Sequence, residues 1–283
     1  MKQFLPAHFD LLDKHFIYSL EHTHKLKINQ NMFKSNQVGG GIRYKTFTYM
    51  DKHFNFKIDD DDVNDIRIAI ITLDESECVT VFVQKQHKLA LLHNMFYDDK
   101  CAKEGLKKPG GDILIRLMLS YLIKKRKKYH IDRITLVDQS YLFCGPKSDI
   151  TIKLARLRMI THGEPWYVKY GFKPYKPDKN EPDVEALQWI SYNNKILEDL
   201  QTSSVNVIKI ANNVKDVDIS DIKRLISKYS LFKNFIKRLT NQLNKYCPLL
   251  EAILEDVYKA TPLHTQLLYD YYKTHFYLDI YNL

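Results

Sequence analysis

Apolar positions along this chain recur with two periods, and the change from one to the other divides it. From Leu5 to Leu20, the residues Leu5, Phe9, Leu12, Phe16 and Leu20 fall three or four apart, with Asp10, Asp13 and Lys14 off that stripe. That spacing predicts an amphipathic helix. Gly39-Gly40-Gly41 breaks the chain, and Ile42 to Tyr49 then alternates face by face, which predicts a strand. With no helix after it, the triple glycine reads as a turn and not as a phosphate cradle. Three further strands are predicted at Ile66–Leu73, Cys78–Val83 and Leu89–Phe96, separated by short polar gaps. Gaps that short imply antiparallel neighbours.

Past Phe96 the period becomes helical. Lys107-Lys108-Pro109-Gly110-Gly111-Asp112 forms a basic, glycine-paired turn, followed by an apolar helix from Ile113 to Ile123. A strand at Ile134–Asp138 and a helix over Ile150–His162 come next, then Trp166-Tyr167-Val168-Lys169-Tyr170-Gly171-Phe172. The expected fold class is therefore α/β, an α+β mixed sheet that is antiparallel first and parallel later. Pro174, Pro177 and Pro182 punctuate a polar connector, after which a helix is predicted at Val184–Leu200, a short strand at Val205–Ile210, and helices from Ser220 onward. Asp218 or Ser220 is a helix cap, and Thr261-Pro262 a helix start. Tyr269, Tyr271, Tyr272, Phe276, Tyr277 and Tyr281 crowd the terminal segment and read as core contacts. Two regions follow: residues 1–175, with a core at 66–175 behind an N-terminal helix and strand, and a mainly helical region at 184–283.

Composition narrows the function classes. Apolar residues make up 45% and charged residues 27% of the 283, as in globular domains. The net charge of +9 favours anionic partners. The Lys124–Lys128 run sits where cations offset a helix dipole, and no RNA or DNA motif accompanies it, so a nucleic-acid partner is not expected. Asp59–Asp62 lacks the ligand alternation, turn glycine and closing Glu of a calcium loop and reads as solvated. The four cysteines (Cys78, Cys101, Cys144, Cys247) show no CxxC and no zinc spacing, so no metal site or disulfide framework is expected, and reduced thiols are the default. No apolar run is long enough for a membrane span, and Met1–Asp10 lacks a signal-peptide core. Together these place the chain in the cytoplasm, with no membrane partner.

The order of strands, glycine turn, buried helix, strand and helix, closing on Tyr167-x-x-x-Gly171-Phe172, resembles the GCN5-related N-acetyltransferase family over roughly Ile66 to Tyr175. That family's phosphate turn reads Gln/Arg-x-x-Gly-x-Gly/Ala, and the nearest register here is Leu106-Lys107-Lys108-Pro109-Gly110-Gly111. Leu106 stands in for the polar lead residue, Pro109 removes one amide donor, and Asp112 adds a negative charge at the helix start. The resemblance implies a mixed-sheet acyltransferase fold with a helical C-terminal extension. It also implies acetyl-CoA as cosubstrate and a small amine or a protein amine as acceptor. A catalytically silent version of the fold, used as a binding module, is the alternative.

Under that resemblance, the backbone of Asn94, Met95 and Phe96 is positioned for the pantetheine arm and the thioester carbonyl. Lys107, Lys108, Gly110, Gly111 and Asp112 form the phosphate turn. Acetyl transfer needs an acid for the departing thiolate, and a Tyr hydroxyl with a pKa of ~10 keeps its proton at neutral pH; Tyr167 is the candidate. His93 and Asp138 are the candidate bases, each with a plain structural alternative: a core histidine and a turn cap.

Overall fold

The structure, a computed structural model, describes residues 41–49, 52–62, 65–95, 101, 110–144, 150–259 and 270–281. The expected helix at Leu5–Leu20, the glycines at 39 and 40 and the Thr261-Pro262 helix start lie outside the described residues. The chain forms two compact units: one ends at Val137 and resumes at Tyr277, the other holds Asp138–Phe276.

The first unit is a mixed, mostly antiparallel sheet. Strands β1 (Ile42–Tyr49), β2 (Lys52–Asp59), β3 (Asp65–Ile71), β4 (Glu77–Gln84) and β5 (Leu89–Met95) pair in order as an antiparallel meander. β2 was not expected; its alternate residues Phe54, Phe56 and Ile58 are all buried, the period-2 pattern of a half-buried strand. Asp59 closes β2, and beside it Asp60 pairs with Arg43. Helix α1 (Gly110–Tyr129) then leads to β6 (Arg133–Val137), which lies parallel to β5. A parallel neighbour needs such a crossover.

α1 buries Leu114, Leu117, Met118, Tyr121 and Leu122 and packs against β4 and β5. Tyr121 packs edge-on to Phe47 at 5.3 Å and lies 4.8 Å from Phe56, and its hydroxyl reaches that of Tyr129 at 2.9 Å. The chain ends with a strand (His275–Asp279), whose Asp279 accepts from Arg133 Nε of β6 at 2.8 Å. The aromatics expected to be helical are thus partly in a strand, because Phe276, Tyr277 and Leu278 are buried in succession, as a strand covered on both faces requires.

The second unit is mainly helical. A hairpin, β7 (Tyr141–Phe143) with β8 (Thr151–Lys153), precedes helix α2 (Leu154–His162). The expected Ile150–His162 helix therefore starts four residues late, since Thr151–Lys153 pairs with β7 first. α2 ends at Gly163, in the left-handed region at φ +78. A Cβ there would lie 1.8 Å from Asn194 Oδ1, so a side chain would have to displace Asn194 as well as bear the strain of a positive φ. A 3-10 turn, Trp166–Tyr170, leads to the hairpin β9 (Lys173–Lys176) and β10 (Glu181–Pro182).

Among the described residues five α-helices follow: α3 (Val184–Asp199), α4 (Val207–Ala211), α5 (Ile219–Lys228), α6 (Phe232–Thr240) and α7 (Leu243–Lys259). The Val205–Ile210 segment, expected as a strand, is instead the entry to α4. Val207, Ile210 and Ala211 are buried at helical spacing, and the helical core overrides their β preference. Asp183 caps α3 by accepting from Ala186 N at 3.1 Å, and Asp218 caps α5 through Ser220 N and Asp221 N.

The cysteines correct the expectation of reduced, unpaired thiols. Cys78 of β4 bridges Cys101, and Cys144 after β7 bridges Cys247 of α7, with Cα separations of 5.9 and 5.7 Å. All four were scattered in sequence, and only strand and helix packing brings each pair within reach. No described helix is long and apolar enough to cross a membrane.

Candidate active site

In the first unit, the site candidates fall where a regular ladder fails. Thr80 of β4 faces Asn94 and Val81 faces Leu92, so His93 is the extra residue of a β-bulge. Bulges re-aim side chains and end pairing. Parallel pairing of β5 with β6 runs from Leu89↔Arg133 to Leu92↔Leu136 and goes no further. Asn94 and Met95 continue beyond it, paired among the described residues with β4 alone. Their other edge meets no strand among the described residues. His93 is exposed, its ring edge-on to Phe82 at 5.2 Å.

α1, which follows β5, begins at Gly110-Gly111 with Asp112 in its first turn. The first amides of a helix have no intrahelical acceptor and carry the positive end of its dipole. Asp112 opposes an anion there. Phe96, Lys107 and Lys108 lie outside the described residues.

In the second unit the structure brings two candidates into one neighbourhood, Asp138 and Tyr167. Asp138 is fully buried. Its backbone is held on both sides: Lys273 N donates to its carbonyl at 2.8 Å, and its own N–H donates to Thr274 O at 3.0 Å. Its Oδ1 accepts from Ser140 N at 3.1 Å and from Ser140 Oγ. Oδ2 is buried with no hydrogen-bond partner among the described residues. Burial raises the carboxyl pKa above the ordinary range, against the lowering effect of the Ser140 bonds.

Tyr167 is held by the 3-10 turn, with Gly171 at φ +84 closing that turn through a 2.9 Å bond to Val168 O. Its ring lies 5.0 Å from Trp166, 6.0 Å from Phe172 and 6.2 Å from Phe276. Burial, and after it the charge of Asp138, pushes the phenol pKa well above its usual value. The phenol keeps its proton at any working pH.

Two features escaped the sequence reading. Ser140 stands two residues after Asp138, an Asx-turn spacing that was there to be read. Phe276, read as a core contact, packs near Tyr167 from over a hundred residues away, a pairing with no local signal. No protein-family model, curated protein or solved structure matches this chain.

Proposed function

We propose that the chain is an N-acetyltransferase that takes its acetyl group from acetyl-CoA and passes it to an amine. The observation that supports it most is the parting of β5 from β6 beyond Leu92↔Leu136, just past the His93 bulge. An extended amide-bearing arm such as pantetheine has donors and acceptors that suit the free edge of Asn94 and Met95. Gly110 and Gly111 leave the backbone bare at the start of α1, where phosphate oxygens can approach closely. The acyltransferase fold and the amine acceptor belong to the same proposal.

Acetyl-CoA supplies an activated thioester. When the amine nitrogen bonds to the acetyl carbon, the carbon–sulfur bond breaks, one proton leaves the nitrogen and one is needed at sulfur. The first unit's candidates for polarising the carbonyl are the backbone amides of Asn94 and Met95. The second unit's candidate for giving the proton to sulfur is Tyr167. Asp138, whose raised pKa makes it a better base than an ordinary carboxylate, takes the nitrogen's proton, directly or through water. The two transfers favour each other: a proton on Asp138 removes the charge that opposes ionisation of Tyr167. His93 is the other candidate base.

Asp112 in the first turn of α1 favours a second reading, a silent fold that binds a partner and no cosubstrate. Calorimetric titration with acetyl-CoA separates them. Saturable binding, lost when Gly111 is replaced by a bulky residue, supports the transferase. No heat at millimolar acetyl-CoA removes it.

A further inference from the structure

Between α2 and α6 the second unit holds a pocket of about 360 Å³, lined by Leu154, Leu157, Arg158, His162, Lys237 and Asn241, with Thr161 and Thr240. Its chemistry is uneven. Leu154 and Leu157 make one wall apolar, while Arg158, His162 and Lys237 bring two fixed positive charges and one conditional charge. Lys237, in the last turn of α6, makes no ion pair among the described residues. Lys169 is close enough for its charge to be felt at His162, and Glu164 close enough to feel both Arg158 and Lys169. Cations still outnumber acids.

The proton inventory of His162 can be read from its neighbours. Thr161 Oγ1 has one proton, and it is donated to Leu157 O at 2.7 Å. The 2.7 Å contact between Thr161 Oγ1 and His162 Nδ1 therefore has the imidazole as donor. Nε2 is left with a lone pair when the ring is neutral and a second N–H when it is charged. Burial, then Arg158, Lys237 and Lys169, lower the His162 pKa to about 4, so the ring is neutral near pH 7.

We infer that this pocket is a binding site for a small molecule that joins an oxyanion, phosphate or carboxylate, to an apolar group, with Arg158, Lys237 and His162 on the anion and Leu154 and Leu157 against the apolar part. The volume suits a molecule somewhat larger than an inorganic ion, at the lower end of ordinary ligand pockets. A bound anion offsets the charges of Arg158, Lys237 and Lys169 that, after burial, hold the His162 pKa down, so binding draws a proton onto Nε2 at pH values above about 4. The site is independent of acetyl transfer, since it uses none of the residues assigned to that reaction.

The test is calorimetry on the full chain with phenyl phosphate and phenyl sulfate as probes, at about pH 6 and in buffers of differing ionisation enthalpy. Phenyl sulfate keeps one charge throughout, so proton uptake on binding it belongs to the protein. Saturable binding is expected, weakened roughly tenfold or more by Lys237→Glu, the scale of one lost charged contact. Lys128→Glu, on the first unit, is expected to leave it unchanged. His162→Gln is expected to keep binding and abolish proton uptake. Lys237 is exposed, so its variant should fold; a circular dichroism spectrum matching the parent verifies this. Absence of saturable binding, equal weakening by Lys128→Glu and Lys237→Glu, or proton uptake that survives His162→Gln would overturn the assignment.

Discussion

Tyr167 and Asp138 are coupled inside the second unit: the carboxyl charge of Asp138 adds to burial in holding the Tyr167 phenol protonated. They stand 29 positions apart in the sequence, one at the end of a strand and the other in a 3-10 turn.

That coupling makes Tyr167→Phe informative. The ring contacts to Trp166, Phe172 and Phe276 survive the change, and only the hydroxyl is lost. Turnover is expected to fall about 10²-fold or more, the usual scale of a lost acid, while acetyl-CoA affinity stays the same. Turnover and affinity measured side by side check it, and unchanged turnover in an active enzyme would remove Tyr167 as the acid.

Asp138→Asn should separate stability from chemistry. The folded carboxyl pKa is raised, so ionised Asp138 costs stability: its contribution is fully present below the unfolded value of ~3.9 and is lost as pH rises through the folded value. The Asn variant keeps an acceptor for Ser140 and never ionises. It is expected to melt higher than the parent at pH 7 to 8 and to lose that advantage toward pH 4, as melting curves across this range would record.

Asp221 has the opposite sign. It accepts from Lys245 Nζ at 2.6 Å, from Tyr246 Oη and from Arg224, and these bonds, Lys245 first, hold its carboxyl below the usual range. This stabilisation is present above the unfolded pKa of ~3.9 and is lost as pH falls through the folded value. Asp221→Asn should lower the melting temperature at pH 7. The gap from the parent should close as pH falls below about 3; a gap constant with pH would exclude the charge as its cause.

Asn193 lies fully buried on the core stripe of α3, with Ala186, Ile190 and Leu197, and neither amide atom has a hydrogen-bond partner among the described residues. An unsatisfied buried amide costs about 1–3 kcal/mol. Asn193→Leu, close in size, is expected to recover stability on that scale in urea unfolding. A lower midpoint would show that the amide is satisfied and needed.

The two disulfides close 23- and 103-residue separations. By chain entropy, loss of the longer one costs about 4–5 kcal/mol and of the shorter about 3. Native alkylation followed by intact-mass measurement should find no free thiol, and reductant should lower the melting temperature. Thiols that alkylate without reduction would show the bridges absent.

The sequence by itself determined what nearest neighbours decide. Period-2 alternation located β1, apolar runs between turn residues located β3, β4 and β5, helical spacing located α1 and α3, and Asp218 or Ser220 marked a cap that the fold assigns to Asp218, because side-chain direction and end hydrogen bonds depend on residues a few positions away. Gly171, in a left-handed conformation that a side chain resists, closes the turn that holds Tyr167. The tertiary structure decided the rest. Val205–Ile210 became helical because its apolar residues meet a helical core, and His275–Asp279 became a strand beside β6. Cys144 found Cys247, and the His93 bulge arose from a register set jointly by two strands. Part of the burial that shifts Asp138 and Tyr167 comes from segments over a hundred residues on, and no local pattern records how far a carboxyl stands from water.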